Sequence, residues 1–142
     1  MIDLEDKRPK LVRGTLLCLV VYALVAVLFA AIAQAVFPAD IDARGHVVGM
    51  RALLFDVVGD GIAAFAAGAV ASPYAGDRWR LATGVMGGVL FLVLGAATAA
   101  LWQAEPVWFN VVTLSLILPF VALGAAWCSA GLRTPDSRSP SA

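Results

Sequence analysis

Residues 52–72 read ALLFDVVGDGIAAFAAGAVAS, and the fold turns on whether Asp56 and Asp60 belong inside a helix. A membrane core roughly 30 Å thick is crossed by about 20 helical residues, and this stretch has that length. Taken as a span, it joins three stretches that carry no charge at all: 14–39, 81–104 and 106–132. Four spans result, at about 14–37, 51–72, 81–103 and 107–131. The expected fold is all-α, an integral membrane bundle of four transmembrane helices with short loops.

Composition agrees with that class. The 142 residues are 61% hydrophobic and only 14% charged, and the mean hydropathy is +0.89, well above an ordinary soluble domain. Four spans with short connections leave nothing to fold as a separate water-soluble domain. The chain therefore reads as one transmembrane domain, 14–132. A basic segment, 1–13, precedes it, and a Ser/Pro-rich tail, 133–142, follows and is expected to be disordered.

Sorting the charges by loop sets the orientation. Lys7, Arg8, Lys10 and Arg13 precede the first span, Arg78 and Arg80 lie between the second and third, and Arg133 and Arg138 follow the fourth. These share one side and leave Arg44 and Arg51 on the other. Cytoplasmic loops carry the excess of Lys and Arg, so both termini are expected in the cytoplasm of a bacterial-type cell, at its inner membrane. Ala33-Gln34-Ala35 loosely matches a secretion-signal cleavage site, but the apolar run from Leu16 to Ala33 exceeds the usual 7–15 residues of such signals. The first span is expected to stay in place.

The connections fit this arrangement. Pro38 ends the first span, because proline lacks the helical N–H donor. Residues 40–49 form the longer outer loop, with room for a short interfacial helix. Pro106 suits the first turn of the fourth span. Trp79, Trp102, Trp108 and Trp127 all fall near span ends, as an interfacial aromatic belt requires.

The acids are the sharpest functional feature. At i and i+4, Asp56 and Asp60 share one helix face. Counted from Arg51 at about 1.5 Å per residue, they lie about 7 and 13 Å deep. Charged residues at such depth usually face the bundle interior, shielded from lipid. Arg51 is a poor intrahelical partner, about 140° around the helix from Asp56. Gln34, Thr98, Asn110, Thr113 and Ser115 fall within the same outer half as the acids. Asp56, Asp60, Gln34, Asn110 and Thr113 are therefore the candidate ion or polar cluster, provided that helix rotation brings them together.

Small residues mark the expected helix contacts, since close backbone approach drives association in lipid. Gly61, Gly68 and Ser72 form a stripe on the second span, Gly84 and Gly88 a GxxxG pair on the third, and Ala122, Ala126 and Ala130 a stripe on the fourth. Pro119 is expected to kink the fourth span.

Other chemistry has little support. His46 is the only histidine; with Asp40 and Asp42 it could meet a metal, but no set of metal ligands stands out. Cys18 and Cys128 read as packing thiols. No nucleophile–base pair, phosphate-binding glycine loop or basic nucleic-acid patch is present, so no enzyme, cofactor, metal or nucleic-acid partner is expected. Size and helix count are similar to small four-span multidrug exporters. Those carry their essential acid in the first span, and this first span has none, so no mechanism transfers.

Two functions remain. One is a structural or accessory membrane protein, assembling as a homo-oligomer or within a larger membrane complex. The alternative is a proton- or cation-linked small transporter component using the Asp56–Asp60 pair. Its small size favours the first, because four spans form a thin bundle.

Overall fold

The structure, a computed structural model, describes residues 8–44, 46–74, 79–100 and 105–131. The basic start through Lys7, Arg78, Trp102, Gln103 and the tail 133–142 lie outside the described residues. Four long helices account for most of the rest: α1 (Arg8–Val36), α2 (Met50–Ala71), α3 (Trp79–Ala100) and α4 (Val107–Gly131). All four are long and apolar enough to cross a membrane.

Proline chemistry sets the ends of α1. Pro9 sits in its first turn, where a missing N–H donor is harmless. Pro38 stops it after Val36, and Phe37 leaves helical geometry with φ −123° and ψ 53°. The connection to α2 is a hydrogen-bonded loop with one 3-10 turn at Pro38–Asp40; it contains no interfacial α-helix among the described residues. Its backbone is committed elsewhere: Val48 and Gly49 donate to the Asp40 carbonyl, and Ile41 bridges Val47 in antiparallel fashion. The Asp42 carboxylate accepts from the N–H groups of Arg44 and His46, each at 2.8 Å. This Asx-type turn occupies the acid that the sequence made a candidate metal ligand.

The helices pack in the cyclic order α1, α2, α4, α3. α2 packs most extensively against α4 and then α1, α3 leans mainly on α4, and the consecutive helices α2 and α3 barely meet. α2 is thus the central element, which matches its composition. Ala63, Ala64, Ala67 and Ala71 on it are fully or almost fully buried, against Ile117, Val121 and Ala125 of α4 and Cys18 and Tyr22 of α1.

Two glycines allow α2 and α4 to touch backbone to backbone. A Cβ at Gly68 would collide with the Val121 carbonyl, and one at Gly124 with the Phe65 carbonyl. Gly61 faces the Phe120 ring at ordinary contact distance. At the Gly68 end, Ser72 Oγ lies 3.1 Å from Ser129 Oγ and 3.3 Å from the Ala125 carbonyl. On α4 the buried stripe is Val121, Gly124 and Ala125; Ala122 is exposed and Ala126 half-buried, one residue away from the expected stripe. A Cβ added at Gly84, Gly88 or Gly95 would meet nothing within 4 Å among the described residues. The GxxxG pair of α3 therefore points away from the bundle. Pro119 lies exposed within α4, which continues through it to Gly131.

Around the outside runs an apolar surface that water would solvate poorly. Leu24 is 66% exposed, Val27 67%, Leu92 70% and Trp127 74%. Contiguous apolar exposure on this scale is foreign to soluble monomers.

The glycine contacts give a direct stability test. Gly68→Ala and Gly124→Ala place a methyl against backbone, which cannot give way, and each is expected to cost about 1–3 kcal/mol. Gly84→Ala and Gly95→Ala are expected to stay within about 0.5 kcal/mol. Thermal or denaturant unfolding in detergent micelles, followed by helical circular dichroism, separates the two pairs.

Candidate functional site

Residues of all four helices line a cavity of about 340 Å³ in the half of the bundle that holds Asp56 and Asp60. Every helix contributes a polar group to it. Tyr22 comes from α1, Asp56 and Asp60 from α2, Thr98 from α3, and Asn110 and Thr113 from α4; Glu105, in the α3–α4 connection, completes the set. The remaining wall is apolar and includes Ala26, Phe29, Leu94 and Phe109.

One hydrogen bond organises the centre. Tyr22 Oη donates to Asp60 Oδ1 at 2.8 Å, joining α1 to α2 across 38 positions of sequence. Both groups are recessed: Tyr22 is buried, and Asp60 is half-buried. A phenol bound to a carboxylate makes a charge-assisted bond when the acid is ionised, stronger than a neutral pair. Asp56 lies one turn nearer the loop; its sequence neighbour Phe55 joins Phe29 and Phe37, with ring centroids 5.2 and 5.8 Å away respectively. Gly59 brings α2 against Phe29, since a Cβ there would strike the ring at 2.6 Å. That close approach pins α1 beside the acids.

The α4 side of the cavity is under-satisfied. Asn110 is 2% exposed, and its Nδ2 has no hydrogen-bond partner among the described residues. Thr113 Oγ1 is also buried and unpaired; it stands near Asp60 without reaching hydrogen-bond geometry. A buried donor left without a partner costs about 1–3 kcal/mol, so native structures rarely keep one without a reason. Both residues belong to the cavity wall, but these two atoms are covered by protein and do not face the open space.

Of the five residues in the sequence-derived cluster, Asp56, Asp60, Asn110 and Thr113 converge here, and Thr98 joins them. Gln34 does not; it is exposed on the outer face of α1. Ser115 is exposed as well and bonds back to the Val111 carbonyl at 2.7 Å. Tyr22 and Glu105 are the members that sequence reasoning left out. Tyr22 belongs by depth to the other half, yet it lies about 21 Å from the end of α1 and Asp60 about 15 Å from the start of α2. A tyrosine ring bridges that difference. No periodicity marked Tyr22, because between Leu16 and Ala33 every face of α1 is apolar.

The electrostatics at the mouth are set by Glu105 and the loop. Burial pushes the Glu105 carboxyl above its ordinary value, the Asp60 charge adds to that, and His46 opposes it. Asp42 is held below its ordinary value, first by the His46 N–H and further by that of Arg44. His46 Nδ1 lies 3.6 Å from Asp42 Oδ2. Among the described residues no group of three His, Cys, Asp or Glu side chains is placed to hold a metal ion. Comparison with protein families, curated proteins and solved structures finds no match for this chain.

Glu105 yields a prediction whose sign follows from linkage. Below about pH 4.5, the ordinary glutamate value, folded and unfolded chains both hold the proton, and burial of the group is not penalised. As pH rises through the raised folded value, the folded chain must keep an ionised group in unfavourable surroundings. Glu105→Gln is therefore expected to gain thermal stability over the wild-type chain progressively at higher pH, and to match it in acid. Melting temperatures across that pH range in detergent check this; a gain that is independent of pH would refute it.

Proposed function

We propose that this chain is a multi-pass inner-membrane protein that binds a cationic species in its four-helix cavity, as a component of proton- or cation-linked transport. Membrane insertion is supported by four apolar helices and by the exposed belt of Leu, Val and Trp side chains. The distribution of Lys and Arg supports cytoplasmic termini, which turns the cavity mouth to the outside. The observation that carries the reading is the shared cavity. Three carboxyl groups, of Asp56, Asp60 and Glu105, line one space, and no Lys, Arg or His stands among its described walls.

A purely structural cluster of acids would bring its own cation. Here one acid, Asp60, is paired with a neutral phenol, Tyr22, and the cavity lining holds three carboxyl groups and no basic side chain, which favours a site finished by a positively charged ligand. The reading assigns no chemical transformation, only binding and release.

In proteoliposomes, the Asp56→Asn/Asp60→Asn double variant is expected to lose proton or cation flux about tenfold or more relative to wild type, at matched folded amounts. Equal flux from both proteins would remove the acids from any transport step.

A second reading, structural or accessory assembly, rests on a different observation. Gly84, Gly88 and Gly95 of α3 have open space around them, and small residues of this kind let another helix approach closely. A second copy of the chain, or a helix of a larger complex, would fill that face. Gly84→Leu/Gly88→Leu is expected to shift the chain toward monomer by at least about tenfold in association constant, with the monomer fold intact. Analytical ultracentrifugation in density-matched detergent reads this directly.

A further inference from the structure

The cavity also reaches the lateral surface of the bundle. Its lining includes Val27 and Ala30 of α1 and Ala97 of α3, and all three are exposed, Val27 to 67%. α1 and α3 leave a gap at this level, and they pack on each other less than either packs on its other neighbour. Toward the opposite end the same seam is shut. Gly14 of α1 lies against Met86 of α3 with no room for a Cβ, and Met86 is fully buried. At about 1.5 Å per residue, Val27 and Ala30 lie about 14 and 9 Å from the end of α1. In the membrane-spanning arrangement proposed above, the gap therefore opens onto hydrocarbon and not onto water. Its rim, Val27, Ala30, Leu94 and Ala97, is wholly apolar, and the alanines leave space that larger side chains would fill.

The two ends of this opening select different chemistry. Inward lie the carboxyl groups of Asp56 and Asp60, with no Lys, Arg or His in the described lining, so a positive group is favoured there. Phe29 and Phe109 add aromatic surface, which attracts ammonium. Outward lies lipid, where an amphiphile is concentrated and a small hydrated ion is not. An inorganic cation held by mixed oxygens would gain nothing from an apolar side opening. A molecule with a cationic head on a hydrocarbon chain matches both ends.

Building on the cation-binding reading above, we propose that the cavity takes an amphiphilic ammonium from the bilayer through the gap between α1 and α3. The head sits at Asp60, whose carboxylate Tyr22 holds in place, and the chain lies in the gap between Ala30 and Ala97.

The test is equilibrium binding of n-decylamine, n-decanol, ethylamine and sodium to the full chain in phosphatidylcholine nanodiscs at neutral pH, with uptake by empty discs subtracted. The wild-type chain is expected to bind decylamine about tenfold more tightly than ethylamine, and to bind decanol no more than empty discs do. Filling the gap with Ala30→Phe or Ala97→Phe should cut the decylamine-to-ethylamine ratio about tenfold, and Asp60→Asn should abolish binding of both amines. The wild-type comparison of the four probes needs no variant, so the proposal stays testable even where a substitution prevents folding. Equal binding of the two amines, or a ratio unchanged in both phenylalanine variants, overturns lateral access and leaves the cation-binding reading standing. Decanol bound as tightly as decylamine overturns the ammonium assignment. Sodium bound with neither amine overturns the ligand class alone. No binding of amines or sodium overturns both readings.

Discussion

The backbone contact between α2 and α4 is the constraint on which the rest of the structure depends. Gly68 and Gly124 lie against the carbonyls of Val121 and Phe65, so the two helices approach as closely as main chains can. In an apolar solvent there is no hydrophobic drive to bring helices together, and dispersion at short range must supply the attraction. This contact fixes the rotation of α2. Once Ala64, Ala67 and Gly68 face inward, the acids a turn or two earlier on the helix are turned toward the bundle. The cavity exists because the close packing stops short of them: α2 and α4 meet tightly at the Gly68 end and separate around Asp56 and Asp60.

The Tyr22–Asp60 bond is the polar counterpart of that contact. It ties α1 to α2 at the floor of the cavity, beside the close approach of Gly59 to Phe29. A bundle of this size gains little by putting an acid in its interior, because removing a carboxylate from water is costly and one hydrogen bond returns only part of that. An apolar residue at position 60 would pack with less penalty. The acid at this position is therefore a cost to packing that the hydrogen bond from Tyr22 offsets only in part.

The helices themselves were legible in the sequence, because length and hydropathy are one-dimensional properties. Pro38 and Pro106 marked the helix boundaries to within a residue or two for the same reason: the missing N–H acts locally. Convergence of the polar groups was not legible. α1 and α4 are apolar all round, so nothing in their periodicity fixes which side faces inward. Gln34 and Asn110 lie at similar depth, yet one ends exposed and the other buried. Tyr22 was hidden by the assumption that helices of one bundle are level; α1, at 29 residues, is long enough to shift its side chains relative to those of α2. Small residues misled in another way. Glycine permits close approach but does not say to what, so Gly68 and Gly84 look alike in sequence while one is buried against α4 and the other faces outward.

Binding and assembly are separable in this architecture. The cavity draws Tyr22, Asp60, Thr98 and Asn110 from four helices of one chain, so a ligand can be held without a second copy. Passage across a membrane asks for more. Beyond the cavity, Cys18, Ala67, Met86, Leu90, Ile117 and Val121 pack into one apolar cluster, and Ser72 and Thr83 are buried polar residues of that half. In the transport reading proposed above, a cation would have to pass this cluster. α3 packs mainly on α4 and little on the rest of the bundle, so a second helix docked at Gly84 and Gly88 would bear on the helix with the fewest internal constraints.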